Sequence, residues 1–153
     1  MIEIEDITQF LISAWDGHAW HGPSFSSLLE GVDSEKALAH PIPGRHSIWE
    51  LVNHVAFWIE KVTESLEIEN MPDPEGLYDW PPTGEGEEDW VYTKNALETA
   101  HKLLLDSLAR FNPERLNEKV QGRDYTYLTM FNGIENHNLY HAGQIALLRP
   151  KVS

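Results

Sequence analysis

The chain of 153 residues carries 11 Lys and Arg against 25 Asp and Glu, for a net charge of −14, and it contains no cysteine. Such a surface repels nucleic acid and anionic membranes, whose binding rests on clustered positive charge. The missing cysteines exclude disulfides, thiolate metal ligands and a cysteine nucleophile, and no apolar run approaches the ~20 residues of a membrane span.

The length suits one domain, 1–153, with a substantial core. Its start, Met1-Ile2-Glu3-Ile4-Glu5-Asp6, is acidic and has neither the basic nor the apolar region of a signal peptide, so a cytoplasmic protein is expected. Ile4, Ile7, Leu11, Ala14, Trp15 and His18 step by three and four, which predicts an amphipathic helix over 3–16. Gly22-Pro23 interrupts it. A restart with Pro23 in the first turn would carry Phe25, Leu28 and Leu29 to Gly31, and a short helical turn fits 34–39, before Pro41. Ser47-Ile48-Trp49-Glu50 has the form of a capping box, so a helix is expected over 47–67.

Periodicity is lost over 67–88, where Pro and Gly recur, and this reads as one long connection of potential function. The acidic run Glu85-Gly86-Glu87-Glu88-Asp89 solvates its end and favours the next helix's N-terminus. Trp90, Leu97, Ala100, Leu104 and Leu108 place that helix over 88–111, ended by Asn112-Pro113, with a short turn at 113–116. Thr126 is the N-cap expected for a last helix over 127–149, which stops before Pro150. Four main helices without an alternating strand pattern make an all-α four-helix bundle, with the long connection crossing over one end.

The last helix carries the chemistry. At 100° per residue, Ile134, His137, His141, Ile145 and Leu148 fall on one stripe, so two histidines occupy positions where core leucines normally sit. An i,i+4 histidine pair is spaced to chelate one ion. Two ligands leave a metal underligated, and His54, His101 and His18 are the candidates for a third; spacing does not choose between His54 and His101. Three imidazoles suit zinc, nickel, copper or iron and leave positions open for water or substrate. Glu50, Asn53 and Gln144 are the candidates to support the ligands by hydrogen bonds. Trp15, Trp49, Trp58 and Trp90 read as core or interface bodies, whereas Trp20 and His21, in a break between helices, are candidates to line a pocket. More large aromatics than one small bundle readily hides point to a homodimer.

Two segments carry most of a family resemblance, and Ala19-Trp20-His21-Gly22-Pro23-Ser24 looks like the first-helix region of one branch of the same family. His46-Ser47-Ile48-Trp49-Glu50-Leu51-Val52-Asn53-His54-Val55-Ala56 and His137-Asn138-Leu139-Tyr140-His141-Ala142-Gly143-Gln144-Ile145-Ala146-Leu147-Leu148-Arg149 resemble the DinB-like superfamily, which includes YfiT-like metal-dependent hydrolases and thiol transferases. The resemblance implies a DinB/YfiT-type four-helix bundle, often dimeric, with metal ligands at His54, His137 and His141. It implies a divalent metal, zinc or nickel, and a low-molecular-weight thiol as cosubstrate for transfer to a small electrophilic molecule. Hydrolysis by metal-activated water, or metal binding without turnover, are the alternatives.

Overall fold

The computed structural model describes residues 3–68 and 78–149. Six helices succeed one another: α1 (Ile4–Asp16), α2 (Phe25–Leu29), α3 (Ser34–Leu38), α4 (Ile48–Glu67), α5 (Glu87–Arg110) and α6 (Tyr127–Leu148), with a 3-10 turn at Pro113–Arg115. Among the described residues there is no strand, only isolated bridges of Ala19 with Gly22 and Lys119 with Thr126. The fold is an all-α bundle in which α1, α4, α5 and α6 are the long members. The Met71–Gly76 part of the expected long connection lies outside the described residues.

The helix starts follow local chemistry. The Ser47 side chain accepts from Glu50 N while the Glu50 carboxylate takes the Ser47 N–H, so the expected capping box is complete. Thr126 caps α6 by accepting from Thr129 N, and Glu87, Glu88 and Asp89 occupy the first turn of α5. Pro23 differs from expectation. Ser24 takes the cap position by accepting from Ser27 N, which leaves Pro23 outside α2. Glu30 ends α2 in an extended conformation, and Gly31 after it turns the chain at a left-handed φ of 71° that a side chain would strain.

Helix direction is set by which ends meet. Near their N-termini, α4 and α5 join through the Trp49 and Trp90 rings, 5.1 Å apart. Near their C-termini, Glu67 Oε1 accepts from Ser107 Oγ at 2.9 Å and Arg110 Nη2 at 2.8 Å. These two helices are therefore parallel, and the residues between Glu67 and Glu87 must return the whole length of α4, about 30 Å at 1.5 Å per residue. Antiparallel neighbours need only short turns; parallel ones require this crossover. α6 runs the other way. Its first turn packs against the end of α5 (Tyr127 on Phe111, 5.1 Å), and Arg149 beyond its end donates to the carbonyls of Ser27 and Glu30.

The core is one cluster running from Ile4, Ile7, Leu11 and Trp15 of α1 to Phe131, Ile134 and Ile145 of α6. Trp15, Trp49 and Trp90 are buried in it as expected, and the two indole N–H groups of α4 and α5 are satisfied: Trp49 by Thr93 Oγ1, Trp90 by the Val32 carbonyl. Trp58 differs. It is half-buried, and its indole N–H reaches the returning crossover rather than the core.

Candidate metal centre

Near the crossover end of the bundle, the second turn of α4 faces the C-terminal half of α6. There His54, His137 and His141 each offer one ring nitrogen, and the three nitrogens lie within 4.8 Å of one another. His54 Nε2 and His137 Nε2 are 3.1 Å apart. A tetrahedral ion with nitrogens at 2.0–2.1 Å spaces its ligands by about 3.3 Å. That pair already has ligand spacing, and the His141 nitrogen lies within 4.8 Å of both.

Hydrogen bonds fix which nitrogen each ring presents. His54 Nδ1 lies 2.7 Å from the Asp79 carbonyl oxygen, which can only accept, so Nδ1 carries a proton and Nε2 is the nitrogen that can offer a lone pair. His141 Nδ1 donates to Gln144 Oε1 at 2.6 Å, again leaving Nε2 free. His137 Nδ1 is buried without a partner among the described residues, while its Nε2 faces His54. Burial, and then repulsion from His141 and His54, pushes His137 down to about 4. His141 is also lowered, chiefly by burial. Burial thus favours the neutral imidazole at His137 and His141. Three imidazole nitrogens grouped in this way could together hold a divalent metal ion.

The other sequence candidates fall into place around this group. Gln144 touches a cluster histidine. Asn53 instead donates from Nδ2 to the Pro81 and Pro82 carbonyls, at 3.3 and 3.0 Å, and so holds the crossover. Glu50 turns back from His54: its Oε2 takes the Ser47 N–H and sits 3.2 Å from His40 Nε2 and 3.3 Å from His46 Nδ1. One turn separates it from His54 on the same face, but the capping bond draws its carboxylate the other way. His101 lies outside the cluster, buried in α5 with its ring stacked on Trp15 at 4.0 Å. His18, Trp20 and His21 are exposed in and before the α1–α2 turn, and no described contact joins them to the three histidines.

Two residues escaped the sequence reading. Asp79 supplies the carbonyl for His54, and its Oδ2 accepts from Trp58 Nε1 at 3.0 Å. Trp80 lies flat between His54 and His46, with ring centroids 3.9 and 3.6 Å away. The tryptophan in a Pro-rich segment was the available signal for Trp80. The Asp79 bond runs through backbone, which any residue type provides.

An all-α bundle with a three-histidine cluster between two of its helices defines the class. The DinB superfamily model matches residues 19–145, most of the chain and all three histidines, and the protein belongs to that superfamily. No curated protein and no solved structure matches it. Among the described residues, no helix is long and apolar enough to cross a membrane.

Proposed function

We propose that this protein is a metal-dependent enzyme that presents a low-molecular-weight thiol, as its thiolate, to a small electrophilic substrate. The observation that carries the reading is the convergence of three imidazoles with no carboxylate in the set. A divalent ion held by His54, His137 and His141 supplies Lewis acidity and favours an anionic ligand in a remaining position. The chain's own residues prepare for this. Asp79 and Gln144 take the Nδ1 protons of His54 and His141, and Trp80 covers one face of His54 against water. Because no cysteine is present, the sulfur must come from outside the protein. Water attack draws on a free general base more than thiolate attack does, and the Asp79 carboxylate, 3.7 Å from His54 Nδ1, is engaged by Trp58. That favours transfer over hydrolysis.

The test uses untagged protein stripped with chelator and reloaded with zinc or nickel, assayed with several small thiols against an epoxide or alkyl halide. Metal loading should raise the rate above background, and His141→Ala should abolish the rise. Turnover of esters or amides alone would replace transfer with hydrolysis. No turnover in either assay would leave a binding protein. We further propose a homodimer, supported by exposed apolar side chains such as Leu103, Tyr140 and Leu147; a monomer mass by light scattering at micromolar concentration overturns it.

A further inference from the structure

The returning crossover passes over the three-histidine cluster and is tied to α4 at successive residues. Asp79 meets α4 twice, its carbonyl at His54 and its carboxylate at the Trp58 indole N–H, one helical turn apart. Trp80 stacks on His54 and is backed on its other face by His46. The carbonyls of Pro81 and Pro82 share the Asn53 amide. A 19-residue connection needs only half its extended reach to cover the length of α4, so distance alone does not hold it in this line. The side chains of α4 do.

We propose that Trp58 and Asn53 are positioning residues for the metal centre: through the 79–82 segment they hold the Asp79 carbonyl against His54 Nδ1, which keeps His54 Nε2 unprotonated and aimed at His137. Without that acceptor, neutral His54 exchanges between two tautomers, one of which places its proton on the ligating nitrogen. The Trp58 ring meets the His137 ring edge-on, with centroids 6.3 Å apart, while its indole N–H reaches His54 through Asp79. The inference rests on the metal-binding reading of the cluster. It assigns to the crossover a part in ligand orientation that the helices alone do not supply.

The test compares wild type, Trp58→Phe, Asp79→Ala and the double variant as full chains, with helicity checked by circular dichroism. Trp58→Phe keeps an aromatic body and removes the N–H; Asp79→Ala alters a partly exposed side chain and removes its acceptor while keeping the carbonyl. Zinc affinity is read by competition with a chromophoric chelator, and the His54 tautomer by the nitrogen shifts of the metal-free protein. Each single variant should weaken zinc binding by roughly 10- to 100-fold, the range for partners of metal-bound histidine, and the tautomer signals should move toward a mixture. Because both remove one bond, the double variant should be no weaker than the worse single. Asn53→Ala should shift affinity in the same direction. Folded variants with wild-type affinity and a wild-type tautomer overturn the proposal. So does a double variant whose losses add, since independent damage then explains them. If wild type binds no divalent ion, the metal reading itself fails; that outcome is separate because the tautomer measurement needs no metal.

Discussion

His101 is 3% exposed, stacked on Trp15, and has no partner for Nδ1 among the described residues. Burial pushes it down to about 4 from its ordinary 6.5. The unfolded chain therefore binds more protons than the folded one between these values. Stability should be fully present above pH 6.5 and decline as pH falls toward 4, by on the order of 3 kcal/mol from this group. His101→Phe, which keeps a flat ring on Trp15, should be less sensitive to acid across that window in urea titrations of the metal-free protein. At the cluster the contrast is in metal content. Alanine at His54, His137 or His141 should sharply reduce bound zinc measured by atomic emission, whereas His101→Ala and His18→Ala should retain it. The i,i+4 pair in α6 could be read from spacing because a helix fixes which side chains share a face. The choice of His54 over His101 could not, because both lie on apolar stripes; only tertiary packing turns one stripe toward α6 and the other toward Trp15.

Among the elements, α4 had the best local signals, and its observed span, Ile48–Glu67, follows from them. Ser47 is fully buried and its hydroxyl is the acceptor for Glu50 N, so Ser47→Ala leaves that donor without a partner. A loss of about 1–2 kcal/mol is expected in urea unfolding. α5 (Glu87–Arg110) and α6 (Tyr127–Leu148) were legible to within a residue from apolar spacing and from Pro113 and Pro150. The parallel direction of α4 and α5 was not, because an amphipathic stripe looks the same whichever way its helix points; the long connection was the only hint. Residues 79–82 were illegible for a related reason. Their bonds are made by carbonyls and by ring stacking without periodicity, so nothing in the pattern marks which of them reach His54.

At the scale of the whole molecule, the apolar core extends from α1 to α6 and is large beside the three histidines. Chelation should therefore leave the helical circular dichroism signal unchanged at room temperature. Added zinc should raise stability by about 3–4 kcal/mol at 100 to 1,000 times its dissociation constant, seen as a concentration-dependent melting temperature. Loss of helicity on chelation would make the metal a structural element instead. The parallel pairing of α4 with α5 has a consequence in time as well. His54 and His137 are 83 positions apart, with the whole crossover and α5 between them. Closing so long a stretch of chain is slow and entropically costly, and local helical turns form well before it. On the way to the folding barrier the ion then finds at most the α6 pair, His137 and His141, and not the full set. Zinc should leave the refolding rate in stopped-flow experiments nearly unchanged and act almost wholly by slowing unfolding, so that the loaded protein persists longer without being made any faster.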